Sequence, residues 1–228
     1  MYPSLFWINR WISRNGYRVK KNSEHPNVFI LGENHDIDEM ATERKRFVLR
    51  LNPEFYLSEP SGSDIGAKVL YVPSGVDLPE ELRDELIDQV EWEIKSPCSH
   101  IKEDLDTIAG TNAVLVGCDL DFKTMFDQGV EILQEMFAIS VEKAQEKYFS
   151  DFGYDWDVRF ARCELRADRE KVMAATINHY VKFASNTPLV VYLGAGHINA
   201  DSVLYDHLDP KVKYWAIDQT GEELPKPI

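Results

Sequence analysis

A mostly parallel α/β sheet of about five strands, flanked by helices on both faces and carrying long helical insertions, is the fold this sequence predicts. Three observations carry the prediction. Short runs rich in β-branched and aromatic residues recur at Val28–Leu31, Phe55–Leu57, Ala113–Val116, Leu189–Leu193 and Tyr214–Ile217. These runs are apolar at successive positions rather than alternating, as strands buried on both faces are. Between them lie segments with helical spacing, the strand–helix alternation of a parallel sheet.

The elements follow in order. Met1–Val19 is aromatic and basic (Phe6, Trp7, Trp11, Arg10, Arg14, Arg18), too short in its apolar stretch for a signal peptide, and reads as a terminal helix or strand tucking Leu5, Trp7 and Trp11 onto the domain. With the polar residues that follow, it forms an N-terminal arm over residues 1–26. His25-Pro26-Asn27 marks a turn. After the first strand and a Gly-Glu-Asn-His-Asp turn, Asp36 or Asp38 caps a helix from about Glu39 to Leu51, with Met40, Phe47, Val48 and Leu51 on its apolar face. Ser61–Leu78 is rich in Gly and Ser and reads as a loop, with Lys68–Val72 extended inside it. Pro79 opens an acidic helix to about Ile94, and another spans Ser99–Ile108, completing an insertion over 61–112. A second helical region covers 122–185: a long stretch from Phe122 to about Tyr148, a break at Asp151–Asp157, and a long helix from about Val158 to Ala184. A short helix near Ser202–His207 precedes the last strand.

Composition narrows the function. The chain has 228 residues, the size of one domain with an ample core, and its net charge of −14 argues against nucleic acid or an anionic membrane as partner. No apolar run reaches the roughly 20 residues of a membrane span. Cys98, Cys118 and Cys163 are odd in number and widely spaced, which fits a reducing, cytoplasmic setting rather than a disulfide framework.

The chemistry is concentrated where strands end. The run Val28–Leu31 stops at Gly32-Glu33-Asn34-His35-Asp36, and the run ending at Leu193 stops at Gly194-Ala195-Gly196-His197. Glu59 follows the second strand, Asp119 and Asp121 the third, and Asp218 the last. In a parallel sheet these groups gather along one rim, beyond the carboxyl ends of the strands, where ligands bind. Two histidines with neighbouring carboxylates are the donor set for a divalent metal, with His35, His197, Glu59 and Asp119 as candidate ligands. The same set, without metal, is the material of acid–base hydrolysis, with His35, Glu33, Glu59 and His197 as candidates. Gly32, Gly194 and Gly196 allow sharp turns and expose amides able to receive an oxyanion. Set against this is the plain alternative, a sheet-edge turn whose histidine bonds a neighbouring carbonyl; recurrence at several strand ends favours function.

The helix Arg159–Phe183 presents Arg159, Arg162, Arg166 and Arg169 at three- and four-residue spacing, with Met173 next on the same face. Most of this stripe reads as a solvated face pairing with Asp157, Glu164, Asp168 and Glu170. Cys118 reads as buried packing, Tyr192 and Tyr205 as core or rim, and His100, His179 and His207 as structural or exposed residues without partners.

Taken in order, Gly32-Glu33-Asn34-His35-Asp36, Glu59, Arg169-Glu170-Lys171-Val172-Met173-Ala174 and Gly194-Ala195-Gly196-His197 resemble the motifs of the superfamily that groups the erythromycin-esterase-like, ChaN-like and TraB/Tiki proteins. The first motif looks most like the ChaN-like branch. The resemblance implies an α/β fold with these residues in one pocket, and it singles out Arg169 as the functional arginine. It leaves the chemistry open, since Tiki members are metal-dependent peptidases, erythromycin esterases open a lactone with a histidine, and ChaN-like members bind haem. The expectation is a hydrolase of ester or amide bonds acting on a small molecule or peptide, with a divalent metal as a possible cofactor. The alternatives are a non-catalytic haem- or metal-binding protein and a regulatory protein that retains the site.

Overall fold

A computed structural model describes residues 5–33, 38–87, 99–150, 156–199 and 201–220, with the side chains of 38, 62–64, 99–100, 149–150 and 156–164 left aside. In chain order the elements are α1 (Leu5–Asn15), β1 (Arg18–Lys21), β2 (Val28–Glu33), α2 (Asp38–Leu51), β3 (Phe55–Ser58), α3 (Glu59–Ile65), β4 (Val69–Tyr71), α4 (Ser99–Ile108), β5 (Val114–Gly117), α5 (Phe122–Phe137), α6 (Val141–Ser150), α7 (Trp156–Tyr180), β6 (Leu189–Gly194) and β7 (Tyr214–Asp218). Short 3-10 turns lie at Glu80–Glu85, Ala195–Ile198 and Val203–His207.

The strands form one seven-stranded sheet in the order β1-β7-β2-β6-β3-β5-β4. The five expected strands, β7, β2, β6, β3 and β5, run parallel through its centre. The two added strands, β1 and β4, pair antiparallel at the two edges. The count was short because edge strands need only one partner. Their sequences, Arg-Val-Lys-Lys and Val-Leu-Tyr, lack the continuous apolar run that marks a strand covered on both faces.

Alternate residues of the central strands feed two cores. Val28, Ile30, Leu57, Val116 and Val191 pack with Met173, Ala174 and Ile177 of α7, together with Ile198 and Leu204. Phe29, Leu31, Tyr56, Val190 and Trp215 pack on the opposite face with Ile8 and Ile12 of α1, Phe47 and Val48 of α2, and Ile101 and Ile108 of α4. The aromatic N-terminal stretch is a helix docked on the sheet: Trp7 and Trp11 each sit about a ring's width from Phe47, at 5.3 and 4.9 Å between centroids.

Other boundaries shift for local reasons. The expected loop beginning at Ser61 is partly helix, because Ser58 Oγ accepts the backbone N–H of Ser61 and so caps α3. The helix expected from Pro79 is a 3-10 turn, after which Leu86 bridges to Val69; its remainder to Ile94 lies outside the described residues. The region after Phe122 is two helices, broken where Ala138 takes a left-handed conformation (φ 49°). That break lets α6 fold back so that Ala144 and Tyr148 cover Val130 and Leu133. The break expected at Asp151–Asp157 lies largely outside the described residues.

Candidate functional site

Three parallel strands and one helix supply the site. Glu59 follows β3 directly as the first residue of α3, Asp119 lies two residues beyond β5, and His197 sits in the 3-10 turn after β6. From the neighbouring layer α7 presents Arg166, Arg169 and Glu170, which share one helical face through their three- and four-residue spacing. Sequence separations of up to about 140 positions thus collapse to hydrogen-bond distance, because parallel strands end together.

Arg169 is the hub. Its Nη2 donates to Glu59 Oε1 at 2.7 Å and to Asp119 Oδ2 at 2.6 Å, and its Nε lies 3.1 Å from both Asp119 oxygens. His197 is gripped between two carboxylates: Nδ1 is 3.1 Å from Glu170 Oε1 and Nε2 is 3.3 Å from Glu59 Oε1. Glu170 also accepts from Arg166 Nε at 2.7 Å and from the backbone N–H of Val203 at 2.7 Å. Arg166 in turn donates to Asn199 Oδ1 at 2.7 Å and to the Gly196 carbonyl, tying the His197 turn to the helix. Glu59 Oε2 accepts the Gly194 N–H, so that amide is occupied and is not an open oxyanion donor. Ser202 closes the turn by donating to the His197 carbonyl at 2.7 Å.

Glu59, Asp119, Glu170 and His197 are all buried, while the Arg169 side chain keeps 18% of its surface exposed. Burial by itself pulls the His197 pKa down. The Glu59 charge and the hydrogen bonds to Glu170 and Glu59 outweigh it, and the imidazole is pushed up to about 9. Burial pushes Glu170 up, but its bonds from His197 and Arg166 hold it below the ordinary carboxylate range. Burial likewise opposes the Arg169 charge, and Asp119 and Glu59 more than restore it. At neutral pH the His197 imidazole is therefore protonated, Arg169 charged and Glu170 ionised.

Residues expected together are not all together. Glu59, Asp119, Arg169 and His197 meet. Glu33 does not join them: it points to the opposite face of the sheet, where Arg44 Nη1 donates to its Oε2 at 2.9 Å. The reason is strand alternation, since Glu33 shares the face of Phe29 and Leu31 while Gly32 shares that of Ile30. Asp121 caps α5 by accepting the Thr124 N–H at 3.1 Å. Asp218 is buried at the end of β7 and accepts from the Thr220 N–H and hydroxyl. His35, Asn34 and Asp36 lie outside the described residues, as do the side chains of Arg159 and Arg162. Gly32 is required for packing: a Cβ there would lie 2.2 Å from Ile198 Cδ1.

Two participants escaped the sequence reading. Glu170 and Arg166 were assigned to a solvated stripe, yet Glu170 is fully buried. The signal was present: Met173, Ala174 and Ile177, at three, four and seven residues further on, are all core, so Glu170 opens the buried face of its helix. His179 was expected without a partner and has one, Glu85 Oε1 at 2.8 Å from Nε2. Cys118 is buried as expected, and burial pushes its thiol pKa well up.

The donor set was tested for a metal ion. Among the described residues no group of three or more His, Cys, Asp or Glu side chains is disposed to hold one. Asp119 is spent on Arg169 and on the Leu120 N–H at 2.8 Å, and both His197 nitrogens face carboxylates that also bind arginines. The described donors do not fit a metal centre.

No protein-family model matches the chain, and no curated protein matches it. Among solved structures it is similar to ChaN of Campylobacter jejuni, described under cofacial heme binding, over 92% of this chain and 91% of that one, at 10% identity and a TM-score of 0.45. No described helix is long and apolar enough to cross a membrane.

Proposed function

We propose that the protein is a hydrolase of ester or amide bonds working by acid–base chemistry at the Glu59–His197–Arg169 cluster. The observation that carries this reading is the double grip on His197. A carboxylate on each ring nitrogen holds the imidazolium in one orientation and keeps it protonated at neutral pH. Such a group is a proton donor. In the proposed reaction it gives its Nε2 proton to the leaving oxygen or nitrogen as the carbonyl carbon–heteroatom bond breaks. The base is His35 of the first Gly-x-x-His motif, which takes a proton from the attacking water. Glu59 orients that water, and the exposed edge of Arg169 meets the negative charge that develops on the carbonyl oxygen. Glu33, tied to Arg44, supports the fold and takes no part in turnover.

The test is turnover on a panel of aryl esters, lactones and peptides. Glu59→Ala, His197→Ala and His35→Ala should each lower it by at least about 100-fold, the usual worth of an acid or base, with the circular dichroism unchanged. Turnover that persists in all of them overturns the reading. It should also survive a chelator, because no step passes through a metal.

The ChaN-like form of the Gly32–Asp36 motif favours a second reading, a haem binder. Haem iron needs a ring nitrogen with a free lone pair, and the protonated His197 offers none. Haem ligation would therefore fall to the first motif, and a Soret band that appears on adding haem and disappears in His35→Ala would establish it.

A further inference from the structure

The opposite end of the sheet carries a cavity of about 720 Å³, lined by Leu5, Phe29, Pro26, Pro188, His25, Lys211 and Lys213, with Asn27 beside them. It lies where β2, β6 and β7 begin, far from Glu59 and His197. Its volume is that of a small-molecule site, and most of its wall is apolar. Its charged lining groups are Lys211 and Lys213. Lys211, Lys213 and His25 are exposed, and no carboxylate among the described residues pairs with their side chains. In a chain with 39 acidic and 25 basic residues, two lysines without an acidic partner among the described residues, beside one apolar hollow, form a local reversal of charge.

The rim is held in place by backbone bonds. The Asn27 and Val28 N–H groups donate to the Lys213 carbonyl at 2.7 and 3.0 Å. The Lys213 N–H donates to Asn27 Oδ1 at 2.8 Å, and the Lys211 N–H to Asp209 Oδ1 at 2.8 Å. The backbone that carries the two lysines is thus fixed before any ligand arrives, which leaves only their side chains to be ordered on binding.

We propose that this cavity binds a free medium-chain alkanoate, with the carboxylate at Lys211 and Lys213 and the chain over Leu5, Pro26 and Pro188. The assignment is independent of the hydrolase reading. The test is titration of the full chain with sodium hexanoate, octanoate and decanoate below their micelle concentrations, followed by calorimetry and amide chemical shifts. Affinity should rise about fourfold per added methylene, the ratio set by burying one CH2. Shift changes should centre on Leu5 and the 211–213 loop. The double variant Lys211→Gln/Lys213→Gln should weaken decanoate about tenfold, and Leu5→Ala should weaken it further, with circular dichroism confirming that the fold is kept. Added salt should weaken the complex, as screening of the exposed lysines requires. Equal affinity for decanol, shifts confined to the surroundings of His197, or binding indifferent to both variants would each overturn the assignment.

Discussion

Replacing Glu59 by Gln probes the cluster without changing its shape. His197 is buried, and its pKa is raised from 6.5 to about 9 chiefly because Glu59 overcomes the effect of burial. That difference corresponds to roughly 3 kcal/mol of folding stability, at about 1.4 kcal/mol per tenfold change in proton affinity. The sign follows from the proton count. Below about pH 6.5 the folded and unfolded chains both carry the proton, and the contribution is complete. Between about 6.5 and 9 only the folded chain carries it, so stability falls with rising pH, and above about 9 the contribution is gone. Glu170, held low, acts at the other end: its contribution is present above the ordinary carboxylate pKa and is lost as pH falls through its folded value. In Glu59→Gln the amide oxygen can still accept from Gly194, but the charge is absent, while burial and Arg169 both continue to pull the His197 pKa down. Ring nitrogen NMR should show that pKa falling by more than one unit. Urea unfolding should show a deficit at pH 6 that exceeds the deficit at pH 9.5 by at least about 1.4 kcal/mol, the constant remainder being the lost Glu59–Arg169 pair. A wild-type His197 titrating near its ordinary value, or a deficit that stays constant across this range, would refute the reasoning.

Three further outcomes are expected. Glu33→Ala removes one of the two carboxylates on the fully buried Arg44 guanidinium, which lies 3.7 Å over the Tyr192 ring and keeps Glu103, and should cost about 3 kcal/mol in urea unfolding. Gly32→Ala should cost about 1–3 kcal/mol by overpacking against Ile198, and Ile198→Val, which removes Cδ1 but keeps Cγ1 2.6 Å from the added Cβ, should restore only part of it. Asp104 is buried and receives the hydroxyls of Ser61 at 2.6 Å, of Tyr56 at 3.1 Å and of Ser58. Because Ser58 and Ser61 brace the turn that carries Glu59, Asp104→Ala should cost roughly 3 kcal/mol and also lower the His197 pKa, whereas a purely local effect would leave His197 unmoved.

The central strands were legible because burial on both faces forces an unbroken apolar run, and such a run has few other meanings. Val28–Leu31 and Leu189–Leu193 are of this kind, and each ends at a glycine that hands over to a polar turn. The helix face of Met173, Ala174 and Ile177 was equally plain. Less legible were β1 and β4, whose edge positions relax that requirement, and α3, whose glycine and serines suit a loop until Ser58 caps it.

What the sequence determined by itself is therefore the layer arrangement and the sheet rim to which Glu59, Asp119 and His197 belong, since strand polarity alone brings those chain positions to one edge. Only the tertiary structure decided which face each group takes and which charge it meets. A one-residue step along β2 sends Glu33 to Arg44 rather than to His197, and only the docking of α7 against β6 makes Glu170 a partner of the imidazole. Side-chain direction alternates along a strand and pairing energy depends on distance, so composition at a strand end cannot say which opposite charges will be buried together.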